Sequence, residues 1–567
     1  MKQILVILLF LTGSMSSSFS QNNYFVSPSG NNADNGDATH PWQTIQYAVD
    51  HSNDYDTINI DGTFNEKITI SHSNLFLRNA PSKSATIDAS SIASQNAVIA
   101  ITDKSNITID NIEICNNIQN DAQGILVDGS CSDITISHCK IHDIHFSDDE
   151  NASVSDTTNA QGIIVYGSSS VSSKNIIISY NELYDCRLGY SEGIAINGNV
   201  DSFEVAHNIV HDITNIGIDV IGHEGTCSDA EKDRARNGRI YHNILYHCLS
   251  PYATSGGIYV DGGKNTIIEN NISHDNGYGI EIGCENVGTT TDSIIVRNNI
   301  LYHNEIAGLA LGGYDYPDNS GIVKTTTVSG NTFFSNNYRY DGSGEIYFTS
   351  IDTATVENNI FYTSKQDAVF FAEGNKHEAL TLDYNLYYCA DGVGSLYFDF
   401  YGTDYDGLAD FQAGTSYEAH AIGDDPHFVT ADTVNPDFHI CSDSPAIDAG
   451  NPTYSATSEE TDIDGEVRVK NNRIDIGSDE YDSTTLLKLL ARNPVVSIFP
   501  NPASEKITVK INTASTLTIF SLNGKKMAQY NANAYCCQIN IDFLPAGIYL
   551  LKIDNGTSIY TKRFVKR

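Results

Sequence analysis

The chain has 567 residues, with 71 Asp and Glu against 32 Lys and Arg, a net charge of −39. So acidic a chain makes a poor partner for nucleic acid, whose phosphates need clustered Lys and Arg. It also repels a polyanionic substrate unless a cation such as Ca²⁺ screens it, and its 11 scattered cysteines form neither a disulfide framework nor a zinc spacing.

The first element is Lys2 followed by ILVILLFL and a Ser18-Phe19-Ser20 small-x-small site, the pattern of a signal peptide over residues 1–20. The apolar run is too short to span a bilayer and none follows it, so no transmembrane anchor is expected. Residues 22–66 begin YFVSPSGNNADNG and continue to Pro41-Trp42 and TIQYAV, whose apolar spacing predicts one short amphipathic helix. A helix there covers the open end of a strand stack. YFVSPSG followed by PWQTIQYA resembles the N-terminal start of extracellular right-handed parallel β-helix proteins of the pectate-lyase-like superfamily. The resemblance implies that fold and selects no activity.

From about residue 67 to 400, short Ile/Val runs alternate with Asn, Gly and Asp. An Asn returns roughly every 30 residues, a period that signals stacked supersecondary units. It stands at Asn181, Asn208, Asn243, Asn271, Asn299, Asn331, Asn359 and Asn385, with His138 expected in its place in an earlier coil. Such an Asn tolerates a left-handed bend and can bond its neighbours above and below. A second repeat, Gly-Ile-x-Val/Ile or a close variant, begins at Gly124, Gly162, Gly193, Gly217, Gly257, Gly279 and Gly308. Its Ile and Val are expected inward and the residues between them outward. The Tyr and His three after each Asn, among them Tyr184, His211 and Tyr246, read as a structural stack, and Cys186, Cys248 and Cys389 as buried stack residues. The expected class is all-β: a right-handed parallel β-helix solenoid over 22–400 with an N-terminal cap, followed by a small C-terminal β-sandwich domain.

Two insertions break the spacing: HFSDDENASVSDTTNAQG before the Gly162 motif and HEGTCSDAEKDRARNG after the Gly217 motif. Solenoid insertions leave from bends and often wall a cleft. Residues 401–482 lose the repeat and are expected to form a C-terminal cap, with SATSEETDIDGE as an exposed loop and 483–494 as a linker. Residues 493–567 hold nine Lys and Arg against three Asp and Glu, a net of +6, while the rest carries −45. Within them Pro500-Asn501-Pro502, Leu522-Asn523-Gly524 and Pro545-Ala546-Gly547-Ile548-Tyr549 closely resemble the type IX secretion sorting domain of Bacteroidetes, over 495–567. The resemblance implies dealings with the type IX secretion machinery, outer-membrane translocation, removal of the domain, and a secreted or surface protein. The adjacent Cys536-Cys537 pair has no reading.

Function is sought on the outward positions. Two after each glycine stand Leu126, Ile164, Ala195, Asp219, Tyr259, Glu281 and Ala310; four after, Tyr166 and Asp261 fall in the middle coils; one before, Glu192 does. Carboxylates that share one wall raise each other's proton affinity and can split a glycosidic bond as acid and base or nucleophile. Asp219 and Asp261 are the expected pair, with Glu281 and Glu192 assisting and Tyr259, His223, Glu224, Tyr166 and Arg187 as contacts to an extracellular polysaccharide. The alternatives are β-elimination on a uronate, with Ca²⁺ as a cofactor and Tyr259, His223 or Arg187 as base, and a surface adhesin that binds glycan without cutting. The aspartate-rich calcium signature of family 9 pectate lyases, the Lys-Ser-Ser and Arg-His-Gly pair of chondroitinase B and its alginate lyase relatives, and the NTDG and paired Asp of polygalacturonases are absent; only GHEG at Gly222 is faintly similar to the last group's GHG. A monomer is expected.

Overall fold

The computed structural model describes residues 22–481 and 497–567, apart from 93–94, 156, 340–342, 365–366, 372–373, 391, 393–394, 512–514, 523, 533–534 and 555–558. The expected signal peptide, the linker at 483–494 and Asn523 of the sorting-domain turn lie outside the described residues. Each coil is built from three strands. Val200–Ala206, Ile209–Thr214 and Ile216–Ile221 make one coil, and Arg236–Tyr241, Ile244–Leu249 and Gly256–Asp261 the next. Like strands pair in parallel from coil to coil, giving three sheets of 13 strands each.

The Gly-Ile motifs stack in register on the third sheet: Ile125, Ile163, Ile194, Ile218, Ile258, Ile280 and Leu309 are successive partners. They are fully buried, as are Val127, Val165 and Val220 beside them. The glycine of the motif has a steric cause. A Cβ on Gly124 would fall 2.5 Å from the Gly162 carbonyl oxygen, and one on Gly217 2.5 Å from that of Gly257. Only glycine lets the rungs approach there.

The repeated Asn residues sit at the bend between the first and second sheets and are buried. The Nδ2 of Asn181 donates to Oδ1 of Asn208 at 3.0 Å, and the same bond runs on from Asn208 to Asn243, Asn271, Asn299, Asn331, Asn359 and Asn385. Each Nδ2 also reaches a backbone carbonyl, and each Oδ1 also takes a backbone N–H, as in Asn208 N–H to Asn243. The ladder therefore satisfies the polar atoms of a buried bend. The left-handed residue is the one before the Asn: Tyr180, His207, His242, Asn270, Asn298 and Asn358 all have φ between 54° and 60°. His138 belongs to that preceding column, with φ 53°, and Cys139 holds the Asn position, taking its bond to Asn181 Oδ1 through its backbone N–H. A second ladder, Asn276, Asn304 and Asn336, runs between the second and third sheets and ends on Glu345.

The first end is closed by helix α1 (Ile45–His51). Thr44 caps it, and Glu66 accepts the backbone N–H groups of Ile45 and Gln46, an anion at a helix N-terminus. At the other end helix α2 (Leu408–Thr415) inserts Phe411 against Phe398, and Glu418 ends the Asn ladder by accepting from Asn385 and Tyr387. The stretch expected as a cap then divides. Residues 428–481 turn back along the second sheet, where Phe428, Phe438 and Ile440 bury Tyr302 and Phe334. Within the loop expected to be exposed, Glu460 is buried and pairs with Arg297 at 2.9 Å. The Tyr/His stack is present: His142, Tyr184, His211, Tyr246, His274 and Tyr302 lie face to face with centroids 4.6–5.4 Å apart. Cys186, Cys248 and Cys389 are buried and free. Residues 497–567 form a three-stranded and a four-stranded antiparallel sheet around Ile507, Leu517, Leu551 and Phe564. Among the described residues no helix is long and apolar enough to cross a membrane.

Candidate active site

A cleft of about 670 Å³ lies on the outer face of the third sheet. Its floor follows from strand register. Leu126, Ile164, Ala195, Asp219, Tyr259, Glu281 and Ala310 form one outward column, and Tyr166, Asn197 and Ile221 lie in the column two residues on. Gln123 and Gln161 are paired in the column before, and Glu192 pairs with Ile216 there. Loops raise the walls: Asn159 comes from the first insertion, Glu224 from the second, Tyr190 and Thr254 from the bends entering the third sheet, and Glu285 from the bend leaving it.

Of the residues singled out in the sequence, Glu192, Asp219, Asp261, Tyr166, Tyr259 and Glu224 line this cleft. Asp219 and Asp261 are 3% and 4% exposed, and Tyr259 is 4% exposed. Asp219 has a buried Oδ1 without a hydrogen-bond partner. Asp261 differs: its Oδ1 accepts the backbone N–H of Glu285 at 2.7 Å. The Tyr259 hydroxyl donates to Glu285 Oε1 at 3.3 Å, and Gly283 leaves room for the ring, since a Cβ there would lie 2.8 Å from the Tyr259 oxygen.

Burial and mutual repulsion set the protonation of this group. Burial, then the charges of Glu192, Asp261 and Glu285, raise Asp219 well above the ordinary carboxylate range. Burial and the Glu285 charge likewise raise Asp261, against the pull of the Glu285 N–H. Glu192 is pushed up to about 8 by burial and then by Glu285, and Glu281, one rung past Tyr259, to about 8 for the same reasons. Burial lifts the Tyr259 phenol well above its usual value, with Asp261 adding to it. The cleft thus holds carboxyl groups whose grip on their protons is raised, that of Glu192 to about 8.

Three expected participants stand elsewhere. Glu281 shares the floor column but is not among the residues that line the cleft. His223 has φ 72°, which turns its ring toward Thr290 and Arg234, and burial and Arg234 lower its proton affinity. Arg187 donates to the Ser147 carbonyl and lies 5.9 Å over the Phe146 ring, so it braces the first insertion. Sequence reasoning missed Glu285, Asp121 and Tyr190, and passed over Gln123 and Gln161. Among the described residues no Lys, Arg or His lines the cleft.

Among the described residues one group brings three metal-ligand atoms within 4.8 Å of one another: His439, Asp464 and Asp479, in the segment along the second sheet. Burial would lower the His439 proton affinity, but Asp437 and Asp464 hold it well above the usual range. The cleft carboxylates do not converge that closely.

A family model described as a right-handed β-helix region matches residues 233–401, and one described as a secretion system C-terminal sorting domain matches residues 497–567. The sorting domain marks the chain for type IX secretion, and so for release or display at the cell surface. The uncharacterized protein YwoF of Bacillus subtilis (strain 168) is 31% identical over 444 residues, covering 74% of this chain and 91% of that protein. Among solved structures, pectate lyase Pel9A has a TM-score of 0.40 at 15% identity, covering 82% of this chain and 97% of its own. The A-module of mannuronan C-5 epimerase AlgE6 from Azotobacter vinelandii has a TM-score of 0.47 at 12% identity, over 67% of this chain and 94% of its own. A lacto-N-biosidase from Eubacterium ramulus has 0.41 at 12%, over 71% and 68%. Likenesses this distant say nothing about the reaction.

Proposed function

The chain belongs to the same family as YwoF of Bacillus subtilis and carries a right-handed β-helix region, and on that premise we propose that it is an exported glycoside hydrolase acting on an extracellular polysaccharide. The observation that carries this reading is Asp219: a buried carboxyl with an unpartnered oxygen in a cleft that no cation lines. Such a group holds its proton more tightly than an ordinary carboxyl and can give it to a glycosidic oxygen, the task of the general acid. Asp261 is the partner. The N–H that Glu285 donates favours the Asp261 anion, so Asp261 is assigned the role of base.

The register bears on the stereochemistry. Asp219 pairs with Tyr259, and Asp261 is two residues further along that strand. With a rung of about 4.8 Å and a rise of about 3.3 Å per residue, the two Cβ atoms stand roughly 8 Å apart. Carboxyl groups reaching from those Cβ atoms and held ~6.5–9.5 Å apart would leave room for a water, and so for inversion. The proton of Asp219 passes to the leaving oxygen as the C1–O bond breaks. Water attacks C1 from the other face and loses its proton to Asp261. Burial above all, with Glu192 and Glu285 nearby, holds the proton on the acid, and Tyr259 orients Glu285 at the rim.

The cleft suits β-elimination less well. That reaction needs a base and a cation to neutralise the uronate, whereas the cleft has neither Lys, Arg nor His, and its phenol at Tyr259 resists ionisation. A glycan binder that does not cut has no use for a buried unpaired acid, which costs stability.

The test is digestion of neutral and uronic polysaccharides by wild type and Asp219→Asn. Expected is release of reducing ends, reduced by about 10²–10⁴-fold in the variant and unaffected by chelator. Equal rates in the two proteins overturn the assignment, and unsaturated, ultraviolet-absorbing products mean elimination instead.

A further inference from the structure

On the reading of the cleft as a glycan-cleaving site, on which this rests, the geometry points to Gln123 and Gln161 as a binding subsite for uncharged sugar units, and so to a neutral glycan as the substrate class. The two glutamines are cross-strand partners on the third sheet, one rung of about 4.8 Å apart, in the column that continues to Glu192. Both line the cleft, at 7% and 5% exposure. Each has a buried Oε1 with no hydrogen-bond partner.

Folded chains pair such atoms, so two orphaned acceptors side by side on one wall call for a ligand donor. The Gln161 amide is not free to turn away. Its Nε2 donates to Ser191 Oγ at 3.0 Å, and Ser191 donates in turn to Asn159 Oδ1 at 3.0 Å. The chain Asn159, Ser191, Gln161 thus holds the acceptor in place.

The surroundings define what donates. Asn96 and Tyr166 flank the glutamines, and a second depression of about 420 Å³ continues past Gln123 over Ala97, Ala100 and Leu126. Amides beside a small apolar floor and a phenol ring match a pyranose, with its hydroxyl edge and its apolar face. Neither depression is lined by Lys, Arg or His, and Asp121 and Asp128 stand at this end. A uronate carboxylate here would meet like charge with no counterion. Hydroxyl or acetamido N–H groups would supply the donors that these buried acceptors lack. Because the column climbs from coil to coil, the sugar chain runs along the solenoid axis, with units over Gln123 and Gln161 and the cut bond near Asp219.

The experiment is calorimetric titration of the Asp219→Asn protein with cello-, xylo-, manno- and N-acetylglucosamine oligosaccharides and with oligogalacturonate, repeated with Gln123→Ala or Gln161→Ala added. At least one neutral oligosaccharide is expected to bind, oligogalacturonate to bind at least tenfold more weakly, and each alanine to weaken the neutral ligand about fivefold to tenfold. If an alanine protein fails to fold, Gln161→Met fills the same volume without an acceptor and takes its place. Affinity unchanged within twofold in the glutamine variants, no neutral ligand among the probes, or oligogalacturonate binding as tightly overturns the subsite. These outcomes separate from the fate of the acid: cleavage surviving in Asp219→Asn removes that assignment alone, and a glutamine-independent affinity removes the subsite alone.

Discussion

The backbone N–H of Glu285 donates to Asp261 Oδ1 across 2.7 Å, while Oδ1 of Asp219, in the same cleft, has no partner. Two aspartates in one buried cluster are thereby made unequal, and unequal carboxyls are what acid and base roles require. Asp261→Asn keeps the bond from Glu285 through its amide oxygen and removes only the charge. It is expected to fold as wild type does and to lose about 10²–10⁴-fold in kcat with a smaller change in KM. Steady-state kinetics by reducing-end assay decide, and a kcat within threefold of wild type would exclude Asp261 as the base.

Stability should fall as pH rises toward 8. Glu192 and Glu281 hold protons to about 8 in the folded chain, against about 4.3 in an unfolded one. Between those values the folded state binds more protons than the unfolded, so the slope of stability with pH is negative. Glu418, pushed up to about 7 by burial, adds to the trend. The unfolding midpoint should therefore drop from pH 5 to pH 8, and Glu192→Gln with Glu281→Gln should flatten part of the slope. A midpoint that rises over this window contradicts the protonated cluster.

Gly283 carries a steric demand that reaches the site. An alanine Cβ there would lie 2.8 Å from the Tyr259 oxygen and 3.0 Å from its ring. The ring must shift and its bond to Glu285 break. Gly283→Ala is expected to raise KM and lower kcat together, by about tenfold in kcat/KM, with a midpoint loss of only a few degrees. Unchanged kinetics would show that Tyr259 plays no part at the rim.

The floor of the cleft was legible because two periods agree. The glycine phase sets the rung, and alternation along the strand sets the face, so Asp219, Tyr259 and Glu281 could be placed in one column from residue numbers alone. What lies beyond the strands was not. Glu285 comes two residues after Gly283, in a bend, where alternation no longer says which way a side chain points. His223 escapes the alternation for the same cause: it follows the strand with a left-handed backbone, beside Gly262 and under the influence of the Arg234 charge. Gln123 and Gln161 sat in the right column but are uncharged, and only burial without a partner marks them. The bend Asn was read at the correct period yet assigned the backbone of its predecessor, since Tyr180 or His207 gives no composition signal for φ > 0.

Arg297 ties residues 428–481 to the coils. Its Nε donates to Glu269 at 2.7 Å and its Nη1 to Glu460 at 2.9 Å, and the three side chains are 1–8% exposed. Thr332 with Ser478, and Asn270 with the Asp462 carbonyl, extend the same seam. Removing the guanidinium leaves Glu460 buried without its cation and Glu269 with Arg239 alone, a worse state than removing all three groups. Arg297→Met is therefore expected to cost about 3–5 kcal/mol, and the added change of Glu269→Gln and Glu460→Gln to restore much of it. Limited proteolysis should cut residues 428–481 first in the single variant, because that segment loses its ionic anchor while the Asn ladder behind it is intact. Equal protease resistance in wild type and Arg297→Met would mean that the apolar contacts of Phe428 and Phe438 hold the segment unaided.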